Sequence, residues 1–155
     1  MIALKQIMVP TDFSEPSLCS VKYGRALAER FSATLHYVHV LEDLVALSWS
    51  SDTYVTSLPR LREEVESDAL GRLSRLLKEP EGTQLSARVA LLNGNPFVEI
   101  VRYARDQDID LIVIGTHGRG AIAHMLLGSV AERVVRKAHC PVLTVRHPQH
   151  EFVMP

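Results

Sequence analysis

Five short apolar runs alternate with four stretches of helical periodicity along the 155 residues of this chain. The fourth run, Leu-Ile-Val-Ile, is apolar on both faces, which is typical of a central strand in a parallel sheet. Alternation at this spacing implies right-handed crossovers, so the sequence predicts a single-domain α/β fold with an open parallel sheet and helices on both faces. The predicted strands are Ala3–Val9, Thr34–Val40, Leu85–Leu92, Asp110–Ile114 and Pro141–Arg146.

The four predicted helices have recognisable starts. Ser14 suits the N-cap of the first helix, while Pro59 and Pro96 suit the first positions of the second and third. Ser129–Glu132 matches a capping box for the fourth helix, which is expected to end near Ala138. The stripes predicted to face the core are Val21, Gly24, Ala28 and Phe31 in the first helix, Leu61, Val65, Ala69, Leu73 and Leu76 in the second, and Phe97, Val101 and Ala104 in the third.

The composition argues against several kinds of partner. The net charge is −1, so no basic field favours nucleic acid or an anionic membrane surface. No apolar run approaches the ~18 residues of a membrane span, and membrane insertion is not expected. Cys19 and Cys140 form neither a metal-ligand spacing nor a CxxC pattern, which favours reduced thiols in the cytoplasm.

Two segments fall outside the alternating pattern. Glu42–Leu58 is a polar connection containing Trp49 and is longer than the usual loop of such folds. It is interpreted either as a lid over a ligand or simply as a mobile loop. The chain is predicted to comprise one domain at residues 1–147 and a tail at residues 148–155, with no periodicity from His147 onward.

Glycines follow the fourth predicted strand. Gly115 ends that strand and is expected to permit a sharp turn with positive φ, and Gly118 lets the backbone approach a ligand closely. Gly128 and Ser129 begin a helix, whose free N–H groups and positive dipole end favour an anion. The Ser129 hydroxyl either donates to a phosphate or caps its own helix. The spacing favours an anion site over turn geometry alone.

Other phosphate motifs are absent from the sequence. GxxxxGK[ST] does not occur, and no lysine lies between Lys78 and Lys137. A dinucleotide GxGxxG should follow the first strand, where this chain has Pro10-Thr-Asp-Phe-Ser14 without glycine. The sequence therefore argues against a nicotinamide dehydrogenase.

The glycine spacing is a specific one, because Gly115, Gly118, Gly128 and Ser129 form Gly-x2-Gly-x9-Gly-Ser. With this motif the chain closely resembles the ATP-binding branch of the universal stress protein family, over nearly its whole length. Further segments that carry the resemblance are Val9–Ser14, His39-Val40, Gly94–Pro96 and Cys140–Val145.

The resemblance implies an architecture and an assembly. The sheet is expected to have the flavodoxin-like, Rossmann-like strand order 3-2-1-4-5, in which ligands bind at the carboxyl ends of the strands where the winding reverses. Family members commonly dimerise by pairing their last strands. A homodimer through Val142–Arg146 is therefore expected, because this strand would otherwise present an unpaired edge.

The resemblance also implies roles for matched residues. Asp12 is expected near the ribose or adenine, and the Val40 backbone is expected to hold the adenine. Inside the glycine loop, Arg119 could supply the cation that a Walker lysine gives elsewhere. The complete implied nucleotide site comprises Pro10, Thr11, Asp12, Val40, Gly115, His117, Gly118, Arg119, Gly128, Ser129 and Val130.

Several of these residues have a second interpretation. Asp12 could be a turn residue, as aspartate often is after a strand, and Arg119 could simply be solvated. His36 and His39 lie three apart on a strand and should point to opposite faces, so they are not expected to share a metal. His117 and His124 have no carboxylate or cysteine at ligand spacing, so no protein-bound transition metal is expected.

The function implied by the resemblance is an ATP- or AMP-binding regulatory protein of the stress response. The bound nucleotide (ATP, AMP or ADP, with or without Mg²⁺) would bias conformation or assembly towards a protein partner that the sequence does not identify. Binding is favoured over turnover because no general base or positioned metal carboxylate is evident, and no catalytic residue is assigned.

Two alternatives come from other function classes. One is an enzyme on the same fold, a slow ATPase or a nucleotidyl transferase, with Asp12 acting near the phosphates through Mg²⁺. The other is a flavin-binding electron carrier. It ranks last, because its phosphate loop should follow the first strand, where this chain has Pro-Thr-Asp.

Overall fold

The computed structural model of the protein describes residues 2–42, 58–78, 85–116 and 127–146. Nearly all of the predicted Glu42–Leu58 connection and all of residues 147–155 lie outside these ranges. Five strands and four helices alternate within them. They are β1 (Gln6–Pro10), α1 (Glu15–Phe31), β2 (Thr34–Leu41), α2 (Leu58–Leu77), β3 (Ala87–Asn93), α3 (Pro96–Asp106), β4 (Leu111–Gly115), α4 (Ser129–Lys137) and β5 (Val142–Val145).

The five strands form one parallel sheet in the order β3-β2-β1-β4-β5, which confirms the predicted topology. β1 is central, and Met8 lies opposite His36 of β2 and Ile112 of β4. The central strands β1 and β4 are each buried at four of their five residues, and β2 is buried at four of its eight. Burial of this kind is typical of strands that are covered on both faces. All carboxyl ends therefore meet at one edge of the sheet.

Each face of the sheet is covered by its own apolar cluster. α1 and α2 cover one face, where Val21, Ala28 and Leu73 pack on side chains of the strands. α3 and α4 cover the other, where Ile100 and Val134 pack on the opposite side chains of the same strands. The predicted placement of helices on both faces is thus confirmed. Among the described helices, none combines the length and the apolar character that a membrane crossing requires.

Two residues of the predicted core stripes are exposed. Phe31, the last residue of α1, is 44% exposed, and Leu61, in the first turn of α2, is 46% exposed. Helices of 17 and 20 residues are about 26 and 30 Å long, whereas the strands beneath them have five to eight residues and span about 17–26 Å. The helix ends extend past the sheet, so periodicity alone overstates their burial.

The first strand begins later than its apolar pattern suggests. Its predicted start was Ala3, whereas β1 begins at Gln6. The Asp110 carboxylate accepts the N–H groups of Lys5 (2.7 Å) and Gln6 (2.9 Å) through Oδ2. A side chain thus binds these backbone groups at the start of β1, and it ties β1 to the entry of β4.

The two cysteines lie on opposite faces of the sheet. Cys19 packs against the cluster under α1 and α2, and Cys140 packs against the cluster under α3 and α4. Burial raises the pKa of the Cys140 thiol. This thiol is therefore held in its neutral, less nucleophilic form.

A buried polar chain lies on the α3 face, at the amino half of the strands. His36 is 1% exposed, and its Nε2 donates to Gln6 Oε1 at 2.8 Å while its Nδ1 accepts from the Tyr103 hydroxyl at 2.9 Å. This arrangement uses the neutral imidazole. Burial, and secondly the charge of Arg88, lower the pKa of His36 below its ordinary value of 6.5.

Stability is expected to fall at mildly acidic pH because of His36. The unfolded chain takes up a proton near pH 6.5, whereas folded His36 stays neutral to lower pH. The unfolded state then binds more protons, so the free energy of unfolding decreases as pH falls below about 6.5, by at most about 1.4 kcal/mol per pH unit. Urea denaturation at several pH values between 7.5 and 5 gives the free energy of unfolding as a function of pH. This free energy should change less with pH in His36→Gln than in wild type. An unchanged pH dependence of the free energy of unfolding in His36→Gln would refute the prediction.

Candidate nucleotide site

The candidate site lies at the carboxyl edge of the sheet, between β1 and β4. α1 leaves β1 towards one face and α4 follows β4 on the other, so the winding reverses at this point. A crevice forms where the connections that follow two neighbouring strands leave towards opposite faces, and it is the usual ligand position in open α/β sheets. The two loops that carry most of the predicted residues are therefore adjacent.

The loop after β1 is tightly held by hydrogen bonds. Pro10 is buried at the end of the strand, and the Thr11 N–H donates to the Val38 carbonyl at 2.8 Å. Asp12 Oδ1 accepts the N–H of Ser14 at 3.0 Å and also its hydroxyl. Asp12 is therefore a turn residue, which was one of the two interpretations of this residue from the sequence. These hydrogen bonds hold the Asp12 carboxylate against Ser14 in the loop after β1, and the ligand role remains a prediction.

Ser14 was predicted to cap the first helix, and the structure confirms it. Its side chain accepts the Ser17 N–H at 3.4 Å, with Pro16 in the first turn. The Ser17 hydroxyl in turn lies 3.0 Å from that of Thr11. The helix cap and the loop after β1 thus form one hydrogen-bonded unit.

Val40 lies two residues beyond the last β2 residue that pairs with β1. Pro10, the end of β1, lies opposite Val38, and the Val38 carbonyl points towards β1, since it accepts the Thr11 N–H. Backbone groups of alternate residues in a strand point the same way. The Val40 N–H and carbonyl therefore face the open end of β1, which is a suitable position for recognising a planar base by its edge.

Gly115 does not have the predicted positive φ, since Gly94 is the glycine with φ in that range among the described residues. Its lack of a side chain serves another purpose. A Cβ at Gly115 would lie 3.1 Å from the Pro16 carbonyl oxygen and 3.3 Å from Ser17 Cα. The end of β4 thus approaches the backbone of the first turn of α1, which brings the two loops of the site together.

The glycine loop is closed at its base. The Gly128 N–H donates to the Thr116 carbonyl at 2.5 Å, and the Thr116 N–H donates to the Val145 carbonyl at 2.9 Å. The residue that enters the loop and the residue that leaves it are thus held together at the end of β4.

The capping box predicted for the fourth helix is wrong. Gly128 occupies the N-cap position without a side-chain hydrogen bond, and Ser129 is the first helical residue. Because Gly128 has the extended cap conformation and its carbonyl accepts the Glu132 N–H, the Ser129 hydroxyl does not cap the helix. Ser129 is exposed, whereas Val130 is partly buried and packs on the cluster beneath α4. The first N–H groups of α4 have no acceptor within the helix.

Three predicted residues lie outside the described part of the chain: His117, Gly118 and Arg119. The described remainder of the site still combines helix N–H groups, backbone groups of Val40 and the Asp12 carboxylate. N–H groups at the positive end of a helix bind phosphate, and a carboxylate accepts hydroxyl protons from a sugar. In the described ranges, no group of three His, Cys, Asp or Glu side chains is placed to hold a metal ion.

Two residues of this edge were missed by the sequence analysis. His39 Nδ1 donates to the Thr11 carbonyl at 2.7 Å, and its ring lies 4.5 Å from that of Phe13. His39 belongs to the His39-Val40 segment that carried the family resemblance, but in that segment only the Val40 backbone was given a role. His39 and His36 do lie on opposite faces, as predicted, because His36 contacts Tyr103 of α3.

Comparison with known proteins agrees with this fold. A model of the universal stress protein family matches residues 3–146. Universal stress protein MJ0531 of Methanocaldococcus jannaschii is 34% identical over 147 residues, which are 95% of this chain and 85% of that protein. The solved structure of MJ0577, from the same organism, has a TM-score of 0.82 at 29% identity and covers 96% of this chain and 99% of its own.

A second solved structure is that of a universal stress protein in complex with cAMP. It has a TM-score of 0.61 at 25% identity and covers 93% of this chain and 98% of its own. The family model spans all five strands and all four helices, including both loops of the site. The chain belongs to the universal stress protein family.

Proposed function

We propose that this protein is a regulatory protein of the stress response that binds an adenine nucleotide, ATP or its AMP or ADP products, at the edge between β1 and β4. The observation that carries the proposal is the position of the α4 N-terminus. Gly128 caps that helix and is tied to Thr116 at the end of β4. N–H groups that have no acceptor inside the helix, together with the positive end of the dipole, therefore lie at the end of β4 and support a phosphate position there.

The remaining groups suit the rest of a nucleotide. Val40 offers backbone groups to the base, Asp12 offers a carboxylate to the ribose, and Ser129 offers a hydroxyl to a phosphate. The loop residues His117, Gly118 and Arg119 complete the proposed set, with Mg²⁺ as a companion of the phosphates. The relative in complex with cAMP supports an adenine nucleotide as the class of ligand.

The proposal is tested by identifying what the purified protein carries. Mass spectrometry of small molecules released on denaturation should find ATP, ADP or AMP, and millimolar Mg-ATP should raise the melting temperature. At a concentration 100 times the Kd, a ligand stabilises by about 2.7 kcal/mol. Absence of both bound nucleotide and thermal shift would sink the proposal. Steady phosphate release over many turnovers, lost in Asp12→Ala, would instead indicate an enzyme.

We also propose a homodimer through β5. β5 is the terminal strand of the sheet in the described chain, and Leu143 is 38% exposed on it. The Pro141 and Val145 carbonyls face β4, so the backbone groups of Val142 and Thr144 point to the outer edge. Such an unpaired edge favours pairing with the same strand of a second copy.

Thr144→Pro is expected to convert the dimer to a monomer. Proline removes one outward N–H without disturbing the ladder to β4, and it is tolerated on edge strands. Light scattering coupled to size exclusion should give the mass of one chain for Thr144→Pro and of two chains for wild type and for the Thr144→Val control. A dimeric Thr144→Pro protein would place the interface elsewhere.

The proposed compartment is the cytoplasm. Its support is the cysteine usage: two thiols without a pairing pattern, which pack on opposite faces of the sheet. Structural disulfides are the rule for small domains in oxidising compartments rather than in reducing ones.

A further inference from the structure

The turn that carries Asp12 has an unusual backbone. Phe13 has φ of 63°, in the left-handed region that a bulky aromatic residue rarely adopts. Its N–H donates to Thr11 Oγ1 at 3.0 Å. A conformation of this kind persists only where surrounding contacts hold it. The direction of the Asp12 side chain, which lies between Thr11 and Phe13, depends on those contacts.

His39 supplies contacts on both sides of Asp12. Its Nδ1 donates to the Thr11 carbonyl at 2.7 Å, and its ring lies against Phe13 with 4.5 Å between centroids and 37° between planes. A single side chain of β2 thus restrains the residue before Asp12 by a hydrogen bond and the residue after it by packing.

α2 restrains the same aromatic ring. The Arg72 guanidinium carbon lies 5.5 Å from the Phe13 ring centroid, a distance at which a cation is attracted by an aromatic face. Arg72 is itself oriented by Asp68, with 2.9 Å between Nε and Oδ2. Both neighbours of the turn on this face, β2 and α2, therefore contribute to its shape.

We propose that His39 is a positioning residue that sets nucleotide affinity by holding the Thr11–Phe13 turn with Asp12 at the crevice. This inference rests on the proposed function, because it requires that Asp12 contacts a bound nucleotide. His39 itself is assigned no contact with the nucleotide. His39 acts through the orientation of the Asp12 carboxylate. A carboxylate displaced by a relaxed turn loses its hydrogen bond to the ribose, while the α4 N-terminus is unaffected.

Replacement of His39 separates its two contacts. His39→Phe keeps an aromatic ring against Phe13 but removes the donor to Thr11, and ATP affinity should fall about three- to tenfold, the usual net effect of one hydrogen bond. His39→Asn places an amide donor near the position of Nδ1 but removes the ring from Phe13, so its affinity should lie between those of His39→Phe and wild type. Isothermal titration of full-length protein with ATP measures both.

A double-mutant cycle with Asp12→Asn tests whether His39 acts through Asp12. The Asp12→Asn/His39→Phe double variant should bind ATP no more weakly than Asp12→Asn alone, because the positioned carboxylate is already gone. A merely structural role of His39 would add its full effect to that of Asp12→Asn. His39→Leu is carried through the same cycle, so that misfolding of one variant, detected by its melting curve, leaves the other to decide.

The outcomes are distinct. A wild-type protein that does not bind ATP contradicts the proposed function itself. A wild-type protein that binds, with His39→Phe and His39→Leu binding equally well or with additive effects in the cycle, overturns the positioning role of His39 alone.

Discussion

Ser129→Asp is expected to weaken ATP binding by about a hundredfold or more while leaving the unliganded protein at least as stable as wild type. Ser129 is exposed at the first position of α4 and does not cap the helix. A carboxylate there interacts favourably with the positive end of the helix, by about 0.3–1 kcal/mol. The same carboxylate repels a phosphate about 4 Å away by several kcal/mol at the effective dielectric of a protein surface.

The opposite signs of the two effects make this prediction specific. Loss of binding through misfolding would lower the melting temperature, whereas the predicted change raises it slightly. Ser129→Asn is the matched control, because the asparagine side chain has nearly the same size as that of aspartate but carries no charge. This variant should bind ATP with an affinity within a few-fold of wild type. Titration calorimetry and thermal melts of the two variants suffice. If Ser129→Asp binds ATP with wild-type affinity, the result would contradict a phosphate position at the N-terminus of α4.

The second large effect concerns the approach of α1 to β1. Gly24→Ala should be less stable than Gly71→Ala by about 1–3 kcal/mol, although both replace a glycine inside a helix. A Cβ at Gly24 would lie 2.2 Å from Val9 Cγ2, in the fully buried core, whereas Gly71 has nothing within 4 Å of an added Cβ. Overpacking of a core costs about 1–3 kcal/mol.

The Gly71→Ala control isolates the steric term. Alanine exceeds glycine in helix propensity by about 1 kcal/mol at either position, so that gain cancels in the comparison. Gly71→Ala alone should be more stable than wild type. Urea denaturation followed by circular dichroism gives both free energies of unfolding, and equal stabilities for the two variants would contradict the packing of α1 described here.

The fold could be predicted from the sequence because its strands are buried on both faces. A run such as Leu111–Gly115, apolar at almost every position, fits the centre of a parallel sheet, and the helices between the runs dictate the crossovers. The order of the strands came from the family resemblance rather than from periodicity. Sheet order depends on which apolar strands pair, and apolar composition does not specify a partner.

The local details of the site were harder to predict. The role of Gly115 comes from its approach to Pro16, about a hundred residues away in sequence, and turn propensity contains no trace of it. The cap of α4 fell on Gly128 instead of Ser129, because the hydrogen bond from Gly128 to Thr116 fixes where the helix begins. In both cases a tertiary contact decided against a local preference.

The aromatic contacts of the turn after β1 were not predicted from the sequence. Phe13 lies in a segment that carried the family resemblance, but no pattern indicated its packing on His39 or its left-handed backbone. Its partner His39 lies on the predicted strand and on the face opposite to His36, as predicted. The role of its side chain was missed because the family resemblance assigned a role in this segment only to the backbone of Val40. Strained residues at functional edges are where local rules are expected to fail.

The most direct test of the central claim is an amide NMR titration of the protein with AMP and with Mg-ATP. Both nucleotides should shift the N–H resonances of Thr11, Asp12 and Val40, and ATP should add large shifts in the first turn of α4, from Ser129 to Ala131. Amides at the opposite edge, such as Gln6 and Asp110, should not move. Shifts confined to that opposite edge or to α2, or no shifts at millimolar nucleotide, would contradict a nucleotide site between β1 and β4.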